Sequence, residues 1–235
     1  MRIAALSDLH GYLPSVPECD LLIVAGDLCV DQIGTSHAAV AHDQQERWFD
    51  RYVRPWFLQA PASHKVMTWG NHDWCGEDGD FADDMPGRAK NGALQIVVDG
   101  ETSVPLVNSR SASGSLRIWA TPWSNAFMDW AFMKKPDELA EIYALIPEGI
   151  DILVSHQPPL GYGDLSVLRG SGQSEHHGSR ELLAAIKRVR PKLVVCGHIH
   201  EGHGRYEYDG IPIYNVSVVD EQFRLVHEPT MIEMQ

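Results

Sequence analysis

The stretch Leu193-Val194-Val195-Cys196-Gly197-His198-Ile199-His200 runs from an aliphatic segment, through a glycine, into two imidazoles spaced two apart. Its first half reads as a short strand in which Cys196 is a small buried thiol. Two histidines at a strand end after a glycine favour a metal site over a chance pairing. The same arrangement recurs upstream. Asp8-Leu9-His10 follows the strand-like run 2–6, Gly26-Asp27 follows 21–25, Gly70-Asn71-His72-Asp73 follows 65–69, and His156 ends 151–155. Side chains at the C-terminal ends of neighbouring strands can converge on one crevice.

Further strands are expected at 94–98, 103–107, 116–120, 192–196, 204–208 and 211–218, with Asp209-Gly210 as the turn of a hairpin over 205–215. Helices are expected at 37–58, bent or ended by Pro55, at 136–146 behind Pro136, and at 179–189, closed by Pro191. Strands mixed with helices predict an α/β fold of two stacked mixed β-sheets flanked by helices. No low-complexity linker or internal repeat divides the chain, so 1–235 reads as one domain. The segment 75–92 is acidic and aperiodic and reads as a long loop beside the site.

Composition narrows the function classes. With 44% hydrophobic and 22% charged residues the chain can bury a sizeable core. No apolar run approaches the ~18 residues of a membrane span, so no membrane partner is expected. The formal charge of −13 disfavours duplex nucleic acid. Cys19, Cys29, Cys75 and Cys196 form no C-x-x-C pair, which fits reduced thiols in a cytoplasmic protein. Cys75, close to His72, reads as a bystander thiol.

Each short motif is weak alone. Asp8 and His10 can reach one ion from just past a strand end. Asp27 can bridge two ions through its two carboxylate oxygens, which an imidazole cannot do. Asn71 can offer its amide oxygen, and His72, next to it, would project toward substrate. Together, in order, the five motifs make a specific signal for a pair of divalent ions acting on phosphoesters.

The set resembles the calcineurin-like metallophosphoesterase superfamily, whose pattern is D-x-H, G-D, G-N-H-[D/E], H and G-H-x-H. Pro122-Trp123, Phe127, Trp130-Ala131-Phe132, Ile146-Pro147-Glu148-Gly149, Pro158-Pro159-Leu160-Gly161 and Arg190-Pro191-Lys192-Leu193 extend the likeness to the metallophosphoesterase domain-containing, brain protein-like phosphodiesterases. The resemblance implies the four-layer sandwich of that superfamily. It implies one metal held by Asp8, His10, Asp27 and His200, and a second held by Asp27, Asn71, His156 and His198. His72 would assist the leaving group. An acid that relatives carry three residues after the bridging Asp is replaced here by Val30, so Asp31 or Asp73 is left to orient His72, and Asp73 joins His72 as a candidate catalytic residue.

The expected activity is therefore hydrolysis of small phosphodiesters, including cyclic nucleotides, by attack of a hydroxide shared between two divalent ions. Mn²⁺ is the first choice, with Fe, Zn, Ni and Co as alternatives. A phosphomonoesterase, a nuclease and a non-catalytic protein-binding scaffold are the rivals. His176-His177 at a helix start could meet an anionic group, though they read better as a polar loop, Trp74 and Trp123 could stack a nucleobase but read better as core, and His203 follows His200 too closely to count as an extra ligand. The sequence sets no oligomeric state.

Overall fold

The computed structural model describes residues 1–30, 38–77, 94–105, 114–167 and 172–234. The strands in chain order are β1 (Arg2–Leu6), β2 (Cys19–Ala25), β3 (Ala62–Thr68), β4 (Leu94–Ile96), β5 (Gly100–Pro105), β6 (Ser115–Thr121), β7 (Ser124–Asn125) and β8 (Met133–Lys134). They continue with β9 (Ile152–Ser155), β10 (Leu165–Val167), β11 (Ser174–His176), β12 (Leu193–Cys196), β13 (Gly204–Tyr208), β14 (Ile211–Asn215) and β15 (Thr230–Glu233). The α-helices are α1 (Ala38–Trp48), α2 (Arg54–Gln59), α3 (Pro136–Ala144) and α4 (Arg180–Val189).

One sheet has the order β15-β1-β2-β3-β4, parallel except for β15 at the edge. The other has the order β13-β14-β12-β9-β6-β5, with a parallel centre and antiparallel β13 and β5 at its edges. Strand alternation sorts the core into three spaces. Ile3, Leu21, Ile23 and Val66 face Ile118, Ile152, Val154 and Val195 between the sheets. Ala4, Leu22, Val24 and Met67 point outward onto Phe49, Val53 and Phe57. Trp119, Leu153 and Val194 point the other way onto Leu139, Tyr143, Leu182 and Ile186 of α3 and α4. The result is helix, sheet, sheet, helix. Central strands covered on both faces require the continuous aliphatic runs that the sequence carries.

Several expected boundaries move for physical reasons. The helix expected at 37–58 is one helical run over 38–59, interrupted by a π turn at Phe49–Val53. Arg54 N donates to Phe49 O, so the helix widens by one residue just ahead of Pro55, which has no N–H to donate. Ser179 caps α4 and does not belong to it: its Oγ accepts from Leu182 N at 3.1 Å. The strand expected at 211–218 stops at Asn215. Val216 O then accepts from Ser7 N, and Val218 N donates to Ser7 O, both at 3.0 Å. This crossing ties the end of β1 to the other sheet and brings the two rows of strand ends to one place.

A candidate dinuclear metal centre

Asp8, Asp27, Asn71, His156 and His198 sit just beyond the C-terminal ends of β1, β2, β3, β9 and β12. The backbone there is bent hard. Asp8, His10, Asp27 and His198 have φ of 57°, 41°, 54° and 68°, a left-handed region that non-glycine residues seldom enter. Such strain persists only where surroundings over-determine it, and it gathers at functional sites. Two glycines make the approach possible. A Cβ on Gly70 would lie 2.3 Å from Asp27 Oδ1, and one on Gly197 would lie 2.3 Å from Asp8 Oδ2.

Two sets of donors result, Asp8 with His10 and His200, and Asp27 with His156 and His198. Asp27 stands between them. Its Oδ2 is 3.3 Å from His156 Nε2 and 3.8 Å from His10 Nε2. His200 Nε2 is 3.5 Å from Asp8 Oδ1, and Asn71 Oδ1 is 2.9 Å from His156 Nε2. Two ligands each about 2.1 Å from one ion, at a right angle, are separated by about 3 Å.

The histidines are aimed by their outer nitrogens. His156 Nδ1 is 2.8 Å from Ala25 O and His200 Nδ1 is 3.0 Å from Asp220 O, and each donates to that carbonyl. This turns Nε2 inward, the second-sphere arrangement common to metal-binding imidazoles. The lone pair of His156 Nε2 then faces oxygens of both Asn71 and Asp27, an arrangement that requires a proton or a cation between them. The buried Nδ2 of Asn71 is left without a partner among the described residues, as though the amide were oriented by its oxygen. The donor set therefore fits divalent cations.

The electrostatics agree. Burial alone would lower the pKa of His156, yet the carboxylates of Asp27 and Asp8 overcome it and hold the ring up at about 9. Burial alone would raise the pKa of Asp8, but the hydrogen bond and charge of His200 bring it to about 2. Asp27 is held well below the ordinary carboxylate value, against burial, by the charges of His156, His72 and His10. Burial, aided by the neighbouring His156 charge, pushes His198 down to about 3. Two ionised carboxylates, with protons gathered on the imidazoles opposite, are what a cation site looks like when protons balance its charge.

His72 belongs to neither set. Its ring packs edgewise on His10, with centroids 4.9 Å apart, and lies 4.8 Å from the Trp130 ring. Its backbone N–H donates to Asp27 Oδ1 at 2.8 Å, and its carbonyl accepts from Gln45 Nε2 at 2.7 Å. Asp73 is fully buried, and both its oxygens are taken by backbone amides. Oδ1 accepts from Leu28 N and Cys29 N, and Oδ2 from Gly70 N, each at 2.9 Å. Burial and the charge of Asp27 raise its pKa to about 6 in spite of those bonds. It thus ties the loop after β2 to the loop after β3. Asp31, the other acid considered for orienting His72, lies outside the described residues, as do residues 78–92 of the expected loop. Cys75, in a short 3₁₀ turn (Trp74–Gly76), is buried with its Sγ 3.7 Å from that of Cys29.

The lesser candidates scatter. His176 Nδ1 is 2.8 Å from Asp164 Oδ1 and helps fix the turn ahead of α4. His203 stacks on His227 with centroids 3.7 Å apart. Trp74 and Trp123 pack against the core cluster of the first sheet. Two aromatics that the motifs did not pick out for substrate contact, Phe223 and Trp130, border the site instead. Phe223 packs edgewise on His10 and His200 at 4.7 and 5.1 Å. Trp130 stands out in the sequence only as part of a shared segment. Phe223 carries no signal there, because its position depends on a left-handed backbone that sequence does not reveal.

The folded arrangement of two layered sheets with acid, amide and imidazole donors at their strand ends defines a class of metal-dependent phosphoesterase. The family model for calcineurin-like phosphoesterase matches residues 1–202, and the chain belongs to that family. It is 29% identical to human metallophosphoesterase domain-containing protein 1, over 99% of this chain and 71% of that protein. UPF0046 protein T07D4.2 of Caenorhabditis elegans is 26% identical over 100% of this chain and 60% of its own length. A solved structure with a TM-score of 0.57 covers 91% of this chain and 89% of its own, at 13% identity, and shows the fold. The family supports a metal-dependent phosphoester hydrolase. No helix among the described residues is long and apolar enough to cross a membrane.

Proposed function

We propose that this protein hydrolyses small phosphodiesters, cyclic nucleotides among them, at a pair of divalent metal ions, with residues 1–235 acting as one catalytic domain. The observation that carries the reading is the position of Asp27 Oδ2 between two imidazoles of different donor sets, 3.3 Å from His156 Nε2 and 3.8 Å from His10 Nε2. Asp8, His10, Asp27 and His200 would hold one ion, and Asp27, Asn71, His156 and His198 the other. Bound there, the two ions would polarise the phosphoryl oxygens and make a water acidic enough to attack phosphorus near neutral pH. Mn²⁺ suits this mixture of carboxylate, amide and imidazole donors.

The chain's own residues do the rest. Ala25 O and Asp220 O fix the rings of His156 and His200. Asp73 keeps the Asp27 and Asn71-His72 loops in register by holding three amides, so its role is positioning. His72 stands beside the donor sets and presents a ring N–H to the oxygen that leaves, or to a phosphoryl oxygen. The charge of −13 favours a substrate of low charge over a polyanion. Four buried free thiols suit a reducing compartment such as the cytoplasm.

The test is a panel of a matched diester and monoester, with a cyclic nucleotide and a short duplex, assayed with Mn²⁺ after metal stripping. A higher kcat/KM on the diester is expected. Preference for the monoester would instead assign a phosphomonoesterase, submicromolar duplex binding a nuclease, and failure to hold stoichiometric metal a scaffold.

A further inference from the structure

The side of the site that faces solvent is aromatic. Phe223 is 42% exposed and Phe127 60% exposed, yet both belong to a chain of ring contacts that ends on the site histidines. Phe223 lies 4.7 Å from His10, 5.1 Å from His200 and 6.3 Å from His72. Trp130 lies 4.8 Å from His72, and Phe127 continues outward 5.8 Å from Trp130. The two groups of rings therefore meet at His72.

Phe223 is held there under strain. Its φ is 59°, a left-handed backbone that a bulky residue seldom adopts. The turn that imposes it is over-determined. Asp220 Oδ1 accepts from Gln222 N at 3.0 Å and from Arg224 N at 2.9 Å. Asp220 Oδ2 accepts from Arg224 Nε at 2.7 Å. Phe223 N donates to Asp220 O at 2.8 Å, and Asp220 N donates to Arg224 O at 3.0 Å. Asp220 O also takes the His200 ring N–H, so the turn is fastened to a proposed metal ligand. A glycine or asparagine would meet this backbone with less strain. An exposed aromatic ring kept in a strained turn over two site histidines points to a ligand that uses its face.

We propose that Phe223 and Trp130 form an aromatic rim that receives a planar ring carried by the phosphoester, as an aryl group or a nucleobase. Stacking of this kind tolerates any flat ring, because it reads a π face and not a pattern of hydrogen bonds. The occupant follows from place. The rim is continuous with the donor sets through His72 and His10, so a ring resting on it is one attached to the phosphorus held there. This inference rests on the proposed phosphodiesterase reading and adds the shape of the organic group.

The test uses three diesters with one leaving group that carries no ring, the vinyl esters of methyl phosphate, benzyl phosphate and thymidine 5′-phosphate, followed by release of acetaldehyde, so that chemistry is matched and only the retained group varies. The Mn²⁺-loaded protein should favour the benzyl and thymidine esters over the methyl ester by about 10-fold or more in kcat/KM, chiefly through KM. Phe223→Leu and Trp130→Leu should each reduce that ratio several-fold, and Phe223→Tyr and Trp130→Phe should restore it. Isothermal titration with phenylphosphonate and methylphosphonate reads the same preference without turnover. A rim that binds the phenyl compound more tightly while no ester is cleaved sinks the hydrolase reading and keeps the rim. Equal kcat/KM for all three esters, or equal binding of the two phosphonates, overturns the rim and leaves the hydrolase reading standing. A ratio that survives both leucine variants also overturns it, and preference for thymidine alone would assign nucleobase-specific contacts instead.

Discussion

The floor and the rim of the site are built in opposite ways. The floor is made of small, hard donors at the ends of buried strands: Asp8, Asp27, Asn71 and His156 are at most 2% exposed. The rim is made of large rings on turns, with Phe223 and Phe127 open to solvent. The floor is fixed by sheet register, since β1, β2 and β3 run parallel with Ala5, Ile23 and Val66 side by side. The rim is fixed by local turns such as Asp220–Arg224. The difference separates chemistry from choice: changes to the floor should abolish reaction, and changes to the rim should alter which ester reacts.

The largest effect should come from Asp27→Ala. Removing the carboxylate shared by both donor sets should cost about 10³-fold or more in kcat and empty both ions, as read by metal analysis of the purified variant. A variant that keeps near-normal turnover would break the proposed division, because the floor would then not need its central ligand. His72→Ala should cost about 10²-fold on esters with poor leaving groups, less on nitrophenyl esters, and leave metal content nearly unchanged. Loss of metal would place His72 in the floor as a ligand.

Asp73→Ala should act on stability before chemistry. Three buried amides would lose their acceptor, at a cost on the order of 3 kcal/mol or more in chemical denaturation. Asp73→Asn should fall between, since its oxygen can still serve Leu28 N and Cys29 N while its NH₂ meets Gly70 N–H. If Asp73→Asn matched wild-type stability but lost turnover, Asp73 would be acting on His72 and not on the loops.

Much of the floor is legible in the amino-acid sequence. Apolar runs ending in glycine or serine and a hard donor mark parallel strands that bring such donors to one edge, and the runs at 2–6, 21–25 and 192–196 form strands of this kind. The fold class follows from the same runs. What sequence does not reveal depends on geometry between distant segments. β15 pairs with β1 across nearly the whole chain length, and its short run Thr230–Glu233 has no signal of its own. Asp73 reads as a motif residue beside His72, yet its carboxyl turns back onto the β2 loop. Phe223 lies in Glu221-Gln222-Phe223-Arg224, an ordinary polar stretch until its positive φ aims the ring.

A smaller effect concerns protons. In the metal-free protein the His156 ring, with a pKa of about 9, is protonated at pH 7, and an ion needs its lone pair. Metal binding should therefore release about one proton from this ring, and affinity should rise with pH and level off above about 9. The sign is the same for folding: a histidine raised from 6.5 stabilises the metal-free fold fully below 6.5 and loses that contribution as pH passes about 9. A weakly buffered dye titration reads the released protons, and His156→Ala should remove them. No proton release at pH 7 would mean that the ring is already neutral and that the carboxylates are balanced elsewhere.

The most direct measurement is a reconstitution titration. Chelator-stripped protein is titrated with Mn²⁺ while bound metal and diester turnover are followed together. Two ions should bind per chain, turnover should reach its plateau only as the second is taken up, and Asp27→Ala should take up neither. Full turnover in the presence of chelator, or a plateau at one ion per chain, would contradict the two-metal account.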